Sequence, residues 1–149
     1  KIASLYFGSR DFDTAIDYLH RIIHGPGELR IDLQCYARLL HLLSHYELGN
    51  YDILDSLSKS VHRFFAKMKN LTDVERATFD FIQHSFGYPP KEIRERKQKF
   101  YDQVQHLEKS RFETRSFAYL DIISWAEGKV SGKTMESVIN QKYKSSKRS

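Results

Sequence analysis

The sequence predicts an all-α fold of stacked antiparallel helical hairpins. Turn-forming breaks recur at Gly8-Ser9, Gly25-Pro26-Gly27, Gly49-Asn50, Lys69-Asn70, Gly87-Tyr88-Pro89-Pro90 and Gly128 to Gly132. The segments between most of these breaks are roughly 15 to 22 residues long and repeat apolar residues at steps of three and four. No segment alternates apolar and polar residues long enough to require a strand. Short loops between helices of similar length favour antiparallel neighbours.

The first segment, Lys1 to Phe7, reads as the end of a helix. The second, Asp11 to His24, carries Phe12, Ala15, Ile16, Leu19, Ile22 and Ile23 as one apolar stripe, with Asp13, Asp17 and Arg21 outside it. The third, from about Leu29 to Leu48, places Leu33, Ala37, Leu40 and Leu43 on one side. Leu39 and Leu42 widen that stripe, which predicts contact on two sides. The fourth, Tyr51 to Met68, has Leu54, Leu57, Val61, Phe64, Phe65 and Met68 as its core face.

Thr72 followed by Glu75 is a capping-box pattern, and Val74, Ala77, Thr78, Phe81 and Ile82 follow at helical spacing. Pro89-Pro90 suits the first turn of a sixth helix, where a missing N–H costs nothing. Ile93, Phe100, Val104 and Leu107 form its narrow seam, interrupted by Lys97, while Glu92/Arg96 and Glu95/Lys99 are i,i+4 ion pairs. A seventh helix is predicted from about Ser110 to Glu127, with Phe117, Leu120, Ile123 and the single tryptophan, Trp125, in the core. Met135, Val138 and Ile139 mark a short eighth, and Lys144 to Ser149 are expected to be a free tail.

Composition narrows the function classes. With 40% apolar and 29% charged residues in a chain of 149, a disordered state is not expected. No apolar run is long enough for a membrane-spanning helix. One cysteine, Cys35, leaves no internal disulfide framework and no multi-cysteine zinc site. The net charge of +5 belongs to the end of the chain: residues 129–149 hold six Lys/Arg against Glu136, and residues 1–128 are neutral. A neutral body is not the basic stripe of a nucleic-acid domain. The first residue is Lys1 rather than Met, so a missing N-terminal part is expected, and the expected compartment is cytoplasmic.

One internal repeat is visible. Arg10-Asp11-Phe12-Asp13-Thr14-Ala15-Ile16-Asp17-Tyr18 aligns with Gly49-Asn50-Tyr51-Asp52-Ile53-Leu54-Asp55-Ser56-Leu57 at an offset of 39 residues. Phe12 matches Tyr51, Asp13 matches Asp52, Ala15 matches Leu54 and Ile22 matches Val61. A break reverses the chain, an early aromatic plugs the gap against the preceding helix, and a small or aliphatic residue permits close contact.

Leu48-Gly49-Asn50-Tyr51 and Asp11-Phe12-x-x-Ala15 resemble the turn and second helix of the tetratricopeptide repeat (TPR), over roughly residues 1–68. The spacing departs from that repeat's length of about 34 residues. Arg10 stands where the turn glycine belongs, Leu54 replaces the small residue, and His41 takes a position that is usually large and apolar. Three stretches, 31–38, 48–51 and 117–125, are similar to the C-terminal part of bacterial TPR-like proteins. The resemblance implies the C-terminal end of a longer helical-repeat protein; the expected organisation is TPR-like hairpins over 1–68, further helices packed on the same body over 69–143 and a basic tail over 144–149. It implies no reaction.

Candidate chemistry is sparse. His20/His24 and His41/His45 are i,i+4 pairs that share a helix face, but a metal site needs a third ligand and supporting hydrogen bonds. The plainer reading is surface or groove histidines. Cys35 lies mid-helix, without the helix N-terminus or adjacent base that activates a thiol, and reads as inert and buried. No nucleophile elbow, P-loop or dinucleotide fingerprint occurs, so neither an enzyme nor a cofactor is expected. Asn70-Leu71-Thr72 matches a glycosylation acceptor, although Thr72 is better used as a cap. The aromatic residues sit mostly at core spacing.

The expected function is therefore a protein–protein interaction or scaffold module holding a protein or peptide along a concave helical surface. By the repeat's geometry, Tyr36, Leu39, Leu43 and Tyr46 point to that surface, with Arg38, His41 and His45 as the polar alternatives on the same helix. The alternative is a nucleic-acid-associated helical protein that uses its basic tail.

Overall fold

The structure, a computed structural model, describes residues 2–25, 30–69, 71–107 and 122–148. Every regular element among these residues is an α-helix. The chain divides into two compact units, Lys1–Gln83 and His84–Ser149.

The first unit holds α1 (Ile2–Gly8), α2 (Phe12–His24), α3 (Ile31–Leu48), α4 (Tyr51–Lys67) and α5 (Asp73–Gln83). Each packs on the next, and α1 also reaches α3. The Asp11 carboxylate opens α2 by accepting from the Thr14 N–H at 3.3 Å. α2 buries Phe12, Ala15 and Leu19; Ile16 and Ile23 are half-buried and Ile22 is exposed, so its apolar stripe is narrower than the sequence predicts.

α3 lies against both α2 and α4. It buries Cys35, Ala37, Leu39, Leu40, Leu42, Leu43, Ser44 and Tyr46, as the wide apolar pattern predicts. The Ser44 hydroxyl is buried without penalty because it donates to Leu40 O one turn back, at 2.8 Å. α4 buries Leu54, Ser58, Val61 and Phe65, whereas Leu57, Phe64 and Met68 are half-buried. Edge-on ring contacts join α5 to its neighbours: Phe65–Phe79 at 5.3 Å and Tyr46–Phe81 at 5.7 Å.

The 39-residue recurrence has a structural counterpart in two turns. Arg10 and Gly49 both lie in the left-handed region, with φ of 67° and 74°. Arg10 N–H donates to Phe7 O at 3.1 Å and Asp11 N–H to Tyr6 O at 2.8 Å. Thirty-nine positions later, Gly49 N–H donates to Tyr46 O and Asn50 N–H to His45 O, both at 3.1 Å. This is the Schellman arrangement in each case. The side chains correspond less well. Phe12 is buried and meets Phe7 edge-on at 5.3 Å, but Tyr51 is 49% exposed, so it does not plug the second junction as expected.

The expected capping box at α5 is not formed. The Thr72 hydroxyl is turned inward and has no hydrogen-bond partner among the described residues. The first turn is held instead by the backbone bond from Arg76 N–H to Thr72 O at 3.0 Å and by an Asp73–Arg76 ion pair at 3.1 Å.

The second unit contains α6 (Pro90–Leu107), α7 (Ile122–Ser131) and α8 (Met135–Arg148). α7 packs on both others. Trp125 is buried and meets Phe100 edge-on at 6.0 Å; Val104, Ile122, Ala126 and Val138 are buried in the same unit. Tyr101 OH donates to Glu127 at 3.3 Å, Lys142 Nζ donates to Ser124 Oγ at 3.0 Å, and Glu92 pairs with Arg96 at 3.0 Å. Phe117 and Leu120 lie outside the described residues, and so does the start of the predicted seventh helix.

Gly128 does not break the chain. α7 runs through it to Ser131, and a Cβ at 128 would stand 2.7 Å from the Lys133 carbonyl oxygen. The glycine serves close packing, and the reversal falls at Gly132, whose φ is 73°. α8 continues to Arg148, through the segment whose composition marks it as a tail. No described helix is long and apolar enough to cross a membrane.

Candidate functional site

With α3 packed against α2 and α4, several of its polar residues stay half-buried, four of them in a line. Gln34, Arg38, His41 and His45 follow at steps of four, three and four, which places them on one face of the helix. All four are half-buried. Of the seven residues predicted to meet a partner, Arg38, His41 and His45 are on this line. Tyr36 is half-buried but off it, while Leu39, Leu43 and Tyr46 are in the core. The two leucines and Tyr46 hold α3 in place and are closed to a partner in this structure, because the helix has neighbours on both sides.

The polar line is supported from α4 and its turn. The Arg38 guanidinium lies over the Phe64 ring, 4.1 Å from its centroid. The His41 and His45 rings meet edge-on at 4.6 Å. The Asn50 side-chain amide donates from Nδ2 to His45 Nδ1 at 3.0 Å. That assignment puts the proton of neutral His45 on Nε2. Asn50 is the residue preceding α4, yet its side chain makes no cap bond to that helix. Helical spacing reveals Gln34 in the line. It cannot reveal Asn50 or Phe64, whose roles depend on a reversal and on a neighbouring helix.

On α2, His20 and His24 are exposed, with ring centroids 4.5 Å apart. Their charges and those of His45 and Arg38 act on His41. Burial is the largest cause, and together they push the His41 pKa down from 6.5 to about 4. Burial also lowers His45. Both imidazoles are therefore neutral near pH 7 and act as hydrogen-bonding groups, leaving Arg38 as the permanent cation of the line.

No group of three His, Cys, Asp or Glu side chains among the described residues is arranged to hold a metal. Cys35 is buried at 1% exposure. The chain matches no protein-family model, no curated protein and no solved structure.

Proposed function

We infer that the chain is a non-enzymatic protein–protein interaction module, built in its first unit from TPR-like helical hairpins, that binds a protein or peptide along α3. The observation that carries this reading is the half-buried line of Arg38, His41 and His45 on a helix that packs against both α2 and α4. A polar line of this kind offers directional hydrogen bonds beside apolar surface, the combination that partner sites use. The repeated Schellman turns at Arg10 and Gly49 support the hairpin-stack reading, since they reverse the chain by the same bonds after 39 residues.

Affinity capture from native lysate tests it, with and without nuclease. The chain is compared with an Arg38→Ala variant and with a Lys144→Gln/Lys147→Gln/Arg148→Gln variant. The module reading expects a protein partner that survives nuclease, tolerates loss of the α8 charges and is lost with Arg38→Ala. Capture that disappears with nuclease or with the α8 charges, and that weakens steeply with salt, would replace it by the nucleic-acid reading.

A further inference from the structure

Charge is shared unequally between the two units. The second, His84–Ser149, holds fourteen Lys/Arg against eight Asp/Glu, whereas the first holds ten against eleven. Eight carboxylates cannot neutralise fourteen cations, so the surplus stands however the side chains pair. Most of it falls on α7, α8 and the turn between them: residues 129–149 contribute six of the fourteen cations and one of the eight acids.

Three of these cations have fixed places. Lys129 Nζ, on α7, lies over the Trp125 ring, 5.6 Å from its centroid. Lys133 Nζ, in the turn, donates to Gln141 Oε1 on α8 at 3.2 Å. Lys142 Nζ, on α8, donates back to Ser124 Oγ on α7 at 3.0 Å. The ring, the amide and the hydroxyl are neutral, so these contacts position the ammonium groups without cancelling their charge. The helix dipole favours cations in the last turn of α8, where Lys147 and Arg148 stand. It does not explain Lys133 and Lys142, which lie before that turn.

An aromatic surface stands among the lysines. Tyr143 is 59% exposed between Lys142 and Lys144, which are exposed too, and the exposed Ile139 precedes it by one turn on the same face. Such a hairpin offers what a single nucleic-acid strand needs, counter-charge along its phosphates and a flat surface for a base. We propose that the α7–α8 hairpin binds single-stranded nucleic acid, with Lys133, Lys142 and Lys144 on the phosphates and a base stacked on Tyr143. This surface belongs to the second unit, so the proposal goes beyond the α3 reading and does not depend on it.

The α8 helix is about 20 Å long, enough to follow several phosphates. A lipid surface fits less well. Of the exposed residues 139–144, Ile139 and Tyr143 are the apolar ones, and a helix lying in a membrane interface needs a broad apolar face. An acidic peptide would use the lysines but has no repeating ring to stack on Tyr143.

Fluorescence anisotropy with the full chain and labelled oligo-uridylate tests this from about 50 to 200 mM salt. Three phosphate contacts should cost about twentyfold in affinity over that range. Lys133→Gln/Lys142→Gln/Lys144→Gln should weaken binding and remove that share of the salt dependence. Tyr143→Ala should weaken binding about five- to a hundredfold at every salt while leaving the salt dependence as it was, and Tyr143→Phe should restore the affinity. Lys59→Gln/Arg63→Gln/Lys67→Gln takes the same charge from exposed positions on α4 and should change neither. Fluorescence of the buried Trp125 reports whether each variant is folded. Lys144→Gln alone, at an exposed position, repeats the lysine test if the triple variant unfolds.

No binding at the lowest salt overturns the proposal. So does binding that the α4 variant weakens as much as the hairpin variant, because net charge alone would then explain it. Binding unaffected by Tyr143→Ala removes the stacked base, and displacement by oligo-glutamate or phosphatidylserine-rich vesicles at matched charge assigns the lysines to another anion; either result overturns it. None of these outcomes bears on the α3 line, which the capture experiment judges separately.

Discussion

The Asn50 side chain donates to His45 Nδ1 at 3.0 Å, and the Asn50 backbone N–H donates to His45 O at 3.1 Å. One residue thus holds another by both its backbone and its side chain, across the turn from α3 to α4. The amide spent on the imidazole is not available to cap α4. Replacing it by a carboxylate changes the sign of its effect on the ring. Asn50→Asp should raise the His45 pKa from its lowered position, because an anion beside Nδ1 favours the imidazolium. NMR titration of the His45 ring protons measures this, and an unmoved or lower pKa would refute the contact.

His41 ties stability to pH. The folded state keeps this ring neutral down to about pH 4, whereas the unfolded chain binds its proton at the ordinary value of 6.5. The unfolded state therefore holds more protons between these values. Its contribution to stability is complete above pH 6.5 and is lost as pH falls toward 4. Partial solvation of the ring limits the loss to on the order of 1–2 kcal/mol. Urea unfolding at a series of pH values should show this slope, and His41→Gln should flatten it.

The paired turns should respond unequally to substitution. Gly49→Ala meets only ordinary contacts, with the Tyr51 ring at 3.8 Å, so its cost of about 1 kcal/mol is the backbone penalty at positive φ. Arg10→Gly relieves the same penalty but frees the unfolded chain and removes the Arg10 guanidinium from above Phe12, 5.5 Å from its centroid. These effects oppose one another, and the net change should stay within about 0.5 kcal/mol. Denaturant midpoints of the two variants make the comparison; a large gain from Arg10→Gly would show that strain dominates.

Thr72→Val separates a cap from a buried hydroxyl. A capping hydroxyl lost at α5 would cost about 1 kcal/mol. The Thr72 oxygen has no partner among the described residues, so the isosteric valine is expected to be neutral or stabilising by up to about 1 kcal/mol. Thermal unfolding gives the sign.

Gly128→Ala sets two effects against each other. Alanine favours the helix by up to about 1 kcal/mol. Its Cβ would lie 2.7 Å from the Lys133 backbone oxygen, and overpacking of this kind costs about 1–3 kcal/mol. A net loss is expected, read through the fluorescence of Trp125, which is buried in the same unit. A raised midpoint would mean that the Lys133 turn yields.

Legibility in the sequence followed periodicity. The boundaries of α2, α3 and α4 lie within two residues of those predicted, and the two-sided burial of α3 was visible in the paired leucines Leu39/Leu40 and Leu42/Leu43. What periodicity cannot carry is contact outside the helix. The inward turn of Thr72, the close approach at Gly128 and the exposure of Tyr51 depend on where a neighbouring segment lies. The polar line was half legible: His41 and His45 announce themselves at i,i+4, but burial sorted Leu39, Leu43 and Tyr46 into the core.

The matched turns have a further consequence. Residues 11–49 begin just past one Schellman turn and end at the left-handed glycine of the next, whose bonds repeat the first set position for position. Such a block has compatible ends. A tandem copy would join the original through a junction the chain already makes, so the stack can grow by whole cassettes with no new loop to invent. Length in this architecture is then open to change by duplication, and each copied α3 would carry its own half-buried polar line.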